Sequence, residues 1–384
     1  MGELLLEEKT RNDGSFTTND LFGVFKGIGL RPMKDRVKGK GTERCKVVRP
    51  GEFAYNPMRL NIGSIAQHTG DGPVLVSPDY VVFSCRDHVV GGYLDHFRRS
   101  HLWTTFVSTA GRGGVRKRVY FSVLSRLLVP LPSLAEQQKI AAVMSSADDA
   151  IRATQAVIDQ TRLLEKALLA DVMTRGIGHT DFKETAIGRI PQAWEPYRIG
   201  ELAQFKGGSQ PPRSEFRKEM CPGYVRLIQI RDYKSDAHAT FVPEDHKLTR
   251  RFCEEDDVMI GRYGPPVFQI LRGLKGAYNV ALVKAIPRPD VSKDYLFNVL
   301  RQETLFQSIE KLSRRTSGQA GVNMDTLRDF PMPLPPPEER IEICRLLSSV
   351  RAQESVNTET LRQQVRVRSG LLEDLVTGRV RVSV

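Results

Sequence analysis

The 384-residue sequence is short of cysteine and of long apolar runs, and each shortage excludes something. Its five cysteines (Cys45, Cys85, Cys221, Cys253 and Cys344) are scattered, odd in number and free of any C-x-x-C pair. That usage argues against a disulfide framework and fits a reducing compartment. No run approaches the roughly 20 apolar residues of a membrane-crossing helix. Met1 to Arg11 carries acids where a signal peptide would open with basic residues. The expectation is a soluble, cytoplasmic protein.

Catalytic motifs are scarce as well. An amino-methyltransferase needs a glycine-rich loop for the methyl donor and an Asn/Asp-Pro-Pro-aromatic corner for the target amine. The nearest corner, Tyr55-Asn56-Pro57-Met58, lacks the second proline and the aromatic. The glycine clusters Gly111-Arg112-Gly113-Gly114 and Gly207-Gly208 do not sit between a clear strand and a helix, so they read as loop turns. There is no G-x-x-x-x-G-K-[ST], which excludes that kind of NTP-driven motor. Cys85-x-x-His88 with His96 and His101 lacks the spacing of a usual structural zinc site. A nuclease-type Asp…Glu-x-Lys grouping on convincing strands is also missing. The expectation is a chain with no catalytic residue, cofactor site or metal site of its own.

Basic charge is what the chain has in excess. Lys+Arg number 57 against 45 Asp+Glu, a net +12, with a pI near 9.5. Such a balance favours a polyanionic partner, with nucleic acid ahead of a membrane surface. The length predicts two or three domains.

The end of the chain repeats its middle. Pro130-Leu131-Pro132-Ser133-Leu134-Ala135-Glu136-Gln137-Gln138 opens a helical pattern that closes at Leu168-Leu169-Ala170-Asp171-Val172-Met173-Thr174. At a constant offset of 203 residues, Pro333-Leu334-Pro335-Pro336-Pro337-Glu338-Glu339-Arg340 opens a second pattern, closing at Leu371-Leu372-Glu373-Asp374-Leu375-Val376-Thr377. Residues 134 to 175 contain no proline or glycine, and a helix of that length is a rod of about 60 Å. The prolines give each rod a stiff lead-in and a defined start, and the acids just after them suit the helix dipole.

Both rods carry heptads. In the first, Ile140, Ala147, Thr154, Thr161 and Leu168 fall at one seam position and Met144, Ile151, Ile158, Glu165 and Val172 at the other. In the second, Ile343, Val350, Asn357, Gln364 and Leu371 hold the one position and Leu347, Glu354, Leu361, Arg368 and Leu375 the other. The ends of each seam are apolar and the middles partly polar, which helps to set register.

Two mixed blocks alternate with the rods. The first has short apolar runs such as Cys45–Val48, Pro73–Val76 and Tyr80–Ser84, read as strands, and helical texture near Gly92 to Phe106. A connector, residues 176 to 199, leads into the second block, where Tyr224–Ile230 and Asp257–Ile260 read as strands. The blocks echo each other faintly at Gly2-Glu3-Leu4 and Gly200-Glu201-Leu202. Each carries basic loop clusters: Arg31, Lys34, Arg36, Lys38 and Lys40, then Arg112, Arg116, Lys117 and Arg118; and Arg213, Arg217 and Lys218, then Arg314 and Arg315 beside Ser317-Gly318-Gln319. Arg suits guanine and Gln or Asn suits adenine, while glycine lets backbone approach phosphates. For any single residue a solvated loop is the blander reading; the matched set favours DNA.

The Pro-Leu-Pro-x-x-x-Glu-Gln-Gln lead-in and its heptad helix resemble the DNA-specificity subunits of type I restriction–modification systems. So do Ile190-Pro191-x-x-Trp194, Gly207-Gly208-Ser209-Gln210-Pro211, Leu227-Ile228-Gln229-Ile230-Arg231-Asp232 and Gly261-Arg262-Tyr263-Gly264. In the first block Phe53-Ala54-Tyr55-Asn56-Pro57-Met58-Arg59 and Ser77-Pro78-x-Tyr80-Val81-Val82-Phe83 do the same. The resemblance implies an α+β fold: two α/β-type target-recognition domains separated by two long antiparallel coiled-coil spacer helices, with a pseudo-two-fold internal repeat. The expected boundaries are 1–133 and 179–335 for the recognition domains, the latter with its connector, and 134–178 and 336–384 for the spacers.

By the same resemblance each domain reads half of a bipartite, asymmetric site in double-stranded DNA. Arg59, Ser209, Gln210, Gln229, Arg231, Arg262 and Tyr263 join the basic clusters as candidate contacts. Two modification subunits, which bring S-adenosylmethionine, dock on the spacers, and ATP-dependent restriction subunits are further partners. The alternative is a non-catalytic coiled-coil scaffold with non-specific DNA affinity; a self-sufficient methyltransferase or nuclease is the weakest reading. The pattern departs from the family's at two places. No Pro-x-x-Trp precedes Gly2-Glu3-Leu4, so that lead-in is shortened or supplied by the tail, Val380 to Val384. The Gln137-Gln138 pair becomes Arg340-Ile341 in the second copy.

Overall fold

The computed structural model describes residues 1–33, 41–110, 118–264, 266–313 and 321–383, apart from the side chains of Leu312 and Ser313. They form two compact units, Met1–Ala156 with Thr358–Val384, and Val157–Asn357. The two long helices span Leu134–Val172 and Pro337–Thr377, so each unit takes one part of each. The first begins at a reciprocal cap: Ser133 N–H donates to Glu136 Oε2 (3.2 Å) and Glu136 N–H to Ser133 Oγ (3.3 Å). The second begins on Pro337, whose missing N–H would be unsatisfied in a first turn anyway. It ends where Gly378 turns left-handed, φ 73°.

The first unit holds an antiparallel sheet in the order Leu5–Glu8, Val81–Cys85, Phe53–Tyr55, Ile65–Gln67. The helices Gly91–Phe97 and His101–Thr109 follow it. The second unit repeats the order with Ala203–Gly207, Leu282–Pro287, Val258–Gly261 and Gln269–Leu271, again followed by two helices, Lys293–Leu300 and Glu303–Ser313. The faint echo at Gly2 and Gly200 therefore opens a repeated sheet. The Tyr224–Ile230 run is shorter as a strand, Tyr224–Ile228, because Gln229 and Asp232 cap a 3-10 turn at Ile230–Tyr233.

The apolar ends of the long helices finish these cores. In the first unit Phe53, Phe83, Tyr93, Phe97 and Trp103 pack with Ile140 and Met144 of the first helix and Leu372, Leu375 and Val376 of the second. The Phe53 and Phe83 rings stack at 5.1 Å. In the second unit Ile260, Val283, Tyr295 and Leu296 pack with Leu169 and Val172 of the first helix, Met173 just beyond it, and Ile343 and Leu347 of the second. Each fully buried side chain of this size contributes about 1.5–3 kcal/mol.

Towards their middles the helices meet through charge. In the first unit Asp148 accepts from Arg368 Nε (2.8 Å) and from Arg99 Nη1 (2.8 Å). In the second unit Glu165 accepts from Arg301 (2.5 and 3.1 Å) and Arg351 (3.1 Å), and Arg162 donates to Glu354 (2.6 Å). Burial pushes Asp148 and Glu165 upward, but the arginines outweigh it and both carboxyls sit below their ordinary values.

The acids at the helix starts also tie down the chain that leaves the other long helix. Glu339 accepts from Trp194 Nε1 (2.7 Å) and Ile177 N–H (3.0 Å), with His179 Nε2 at 2.8 Å. Gly176 has φ 68° there, and a Cβ would strike Trp194 and His179. Glu136 takes the corresponding part with Arg381 (2.6 and 2.9 Å), and Val382 packs against the first core. In the first unit the tail thus takes the position that the Trp194 lead-in takes in the second. Among the described residues no helix is long and apolar enough to cross a membrane.

Candidate nucleic-acid interface

Each sheet projects a tip between its last two strands in order. In the first unit the tip is the turn Asn56–Ser64, with a 3-10 segment at Leu60–Ile62. Asn56 Oδ1 accepts from Met58 N–H (3.0 Å), and Gly63 takes φ 89° to re-enter the strand. Val119 N–H donates to Pro57 O (2.9 Å), which brings Arg118 to the tip that carries Arg59. Both arginines are exposed.

The second unit repeats this latch: Val322 N–H donates to Arg262 O (3.1 Å), and Tyr263 bridges to Gly321. The Arg262 guanidinium lies 5.3 Å from the Tyr263 ring centroid, a cation–π distance. Its buried Nε has no hydrogen-bond partner among the described residues. Further along the tip Phe268 is buried at φ 59°, a strained setting for a non-glycine that costs roughly 1–3 kcal/mol and recurs at functional sites.

Other segments gather at this second tip. Arg262 N–H donates to Ala281 O (2.9 Å), Gly208 N–H to Leu282 O (2.9 Å), Ser209 N–H to Tyr278 O (3.2 Å) and Asn279 N–H to Ile228 O (3.1 Å). A Cβ on Gly208 would collide with the carbonyls of Tyr278 and Asn279, so the close approach requires glycine. Ser209, Gln229 and Arg262 thus surround one turn, Tyr278–Leu282. Beside it, Ser209 Oγ donates to Leu248 O (2.7 Å), and the Gln229 amide donates to Thr240 Oγ1 (3.2 Å).

The remaining candidates are dispersed. Arg31, Arg213 and Arg231 are exposed, Arg213 on its own 3-10 turn, and Gln210 is half-buried beside the buried Pro211. Lys34, Arg36, Lys38, Lys40, Arg112, Arg116, Lys117, Arg314, Arg315, Ser317 and Gln319 lie outside the described residues. Lys26 was invisible to motif reading. It is exposed on the hairpin Phe22–Phe25/Gly29–Pro32, and a Cβ on Gly63 would lie 3.7 Å from its Cγ.

The histidines of the zinc-like cluster are engaged separately. His96 Nε2 is 3.2 Å from Ser145 Oγ, and His101 Nε2 is 3.2 Å from Thr105 Oγ1. No group of three or more potential metal ligands occurs among the described residues.

Asp257 anchors the base of the Val258–Gly261 strand. Burial raises its carboxyl, but Lys284 (2.5 Å), Lys293 (2.7 Å) and Glu254 N–H (2.9 Å) carry it down to about 2. A depressed carboxylate stabilises the fold above its unfolded value near 4, and that stability is lost as pH falls toward 2. Acid titration of unfolding is expected to show a loss on the order of 2 kcal/mol from Asp257 in this window. Asp257→Asn should flatten that limb; an unchanged limb would refute the assignment.

More than half of the chain, residues 99–161 and 191–366, matches the family profile described as "Type I restriction modification DNA specificity domain". Over 300 residues the chain is 23% identical to the type I restriction enzyme MjaVIII specificity subunit of Methanocaldococcus jannaschii, covering 72% of this chain and 68% of that one. The fold resembles a chain from a type I restriction–modification system solved for its complex assembly and conformational transition (TM-score 0.60, 20% identity, 99% and 97% coverage). It also resembles the type I system S subunit from M. genitalium (TM-score 0.58, 13% identity, 98% and 94% coverage). With its repeated sheets and its two long helices, the chain belongs to the type I restriction–modification DNA-specificity family.

Proposed function

We propose that this chain reads a bipartite, asymmetric DNA site, one half with each unit, and presents it to methyltransferase subunits. The observation that carries this reading is the latched tip that occurs twice with different side chains. Met58 and Arg59 stand at one tip and Arg262 and Tyr263 at the other, so the halves can recognise different sequences. The net charge of +12 supplies sequence-independent attraction to phosphates. The two long helices act as an antiparallel coiled-coil spacer between two α/β-type recognition domains and as the docking surface for two modification subunits. S-adenosylmethionine and the methyl-transfer residues belong to those partners, and ATP-dependent restriction subunits complete the complex where a nuclease is present. The chain itself is a non-catalytic subunit working in the cytoplasm.

Mapping methylated adenines in cells with and without the chain tests this reading. Loss of one split motif is expected; methylation unaffected by removing the chain would overturn it. Arg262→Ala should relax discrimination in one half only, by roughly 1–3 kcal/mol at the contacted pair. Relaxation of both halves alike would contradict the assignment of one half to each unit.

A further inference from the structure

The reading end of the first unit is apolar as well as basic. Ile28 is 62% exposed, Ile62 51% and Met58 43%. Ile28 stands on the hairpin turn closed by its own N–H to Phe25 O (3.1 Å). Lys26 of that turn lies against Gly63, so the turn meets the tip that carries Met58 and Ile62. Residues 22–33, 56–64 and 118–124 contain Lys26, Arg31, Arg59 and Arg118 and not one Asp or Glu.

Exposed apolar side chains set among cations, on segments that carry no acid, fit a polyanion that also offers apolar groups. The outer surface of a DNA duplex offers one such group, the thymine 5-methyl in the major groove. Reaching base faces instead would require unstacking a step at a cost of its own.

Building on the reading of the chain as a two-half DNA reader, we propose that Ile28, Met58 and Ile62 contact thymine methyl groups. The first unit's half-site is then selected through A·T pairs at those positions. The second tip works by different chemistry. Val267 and Phe268 are 7% and 3% exposed there, against 50% for Val280 in the neighbouring turn, and Arg262 stands at the tip.

The test uses the full chain with its methyltransferase partners on the mapped site. Thymines are replaced by deoxyuridine one half at a time, which removes the methyl and keeps the pairing. In the half whose discrimination survives Arg262→Ala, binding should weaken about three- to five-fold per contacted methyl. The other half should respond little. The surface variant Ile28→Asn/Ile62→Asn should shrink the thymine–uracil difference and leave the second half's preference intact.

Equal affinity for thymine and uracil duplexes, with both halves still specific, would overturn the inference and leave the two-half reading standing. Equal affinity with a rise in 2-aminopurine fluorescence would overturn it in favour of a wedge between bases. A uracil effect unchanged in the double variant would also overturn it. Absence of any specific site would instead sink the reading on which it rests.

Discussion

Inserting one heptad after Ala156 and a second after Asn357 is expected to lengthen the recognised spacer by about 3 base pairs while both half-sequences stay the same. Seven residues add about 10.5 Å of helix, and duplex DNA rises about 3.4 Å per base pair. The insertions fall at the unit boundaries, so each unit keeps its own pairs, Asp148 with Arg368 and Glu165 with Arg351. Asp148 and Glu165 are seventeen positions apart, as are Arg351 and Arg368, so the insertions must match. A single insertion leaves the two segments unequal, and one helix must bulge. Affinity for the original site should fall by about 100-fold or more, because only one half can then engage. Methylome mapping reads the new spacer directly; an unchanged spacer would refute the ruler role.

Glu165→Ala is expected to lower the stability of the second unit by about 3–5 kcal/mol, since a buried pair that loses one partner leaves uncompensated charge. Glu165 is 6% exposed, and its removal sets Arg301 beside Arg351 with no carboxylate between them. Asp148→Ala should cost a similar amount, because it leaves the buried Arg368 uncompensated even though Arg99 retains Asp95 at 2.6 Å. Urea unfolding of the full chain measures both. A loss below about 1 kcal/mol for Glu165→Ala would mean that the pair behaves as an exposed one.

The polarity of these pairs also selects the partner. Positions 148 and 351 are related by the repeat, as are 165 and 368, yet each relation pairs an acid with an arginine. Two first helices placed together would oppose Asp148 to Glu165, and two second helices would oppose Arg351 to Arg368. Like-charge burial disfavours both, so the first helix is matched to the second.

The heptads located the long helices because their signal is local and periodic. Every seam position named from them is buried or half-buried. The mid-seam Glu165 and Arg368 stood out as polar, but the sequence did not say that their partners were Arg351 and Asp148. Nor did the Glu136 and Glu339 carboxylates reveal more than a preference for a helix start. Their bonds to Arg381 and Trp194 join segments that are far apart in the chain.

By itself the sequence determined that the chain is built twice, where each long helix begins, and which catalytic motifs it lacks. Proline, heptads and motif spacing are written in neighbouring residues, so these features needed no fold. The tertiary structure alone decided how the reading ends are assembled. Both latches are backbone N–H to carbonyl bonds between residues about 60 apart, and such bonds have no side-chain signature. Only folding could tie the Gln229 amide to Thr240, gather Ser209 and Arg262 round one turn, and leave Ile28, Met58 and Ile62 facing water.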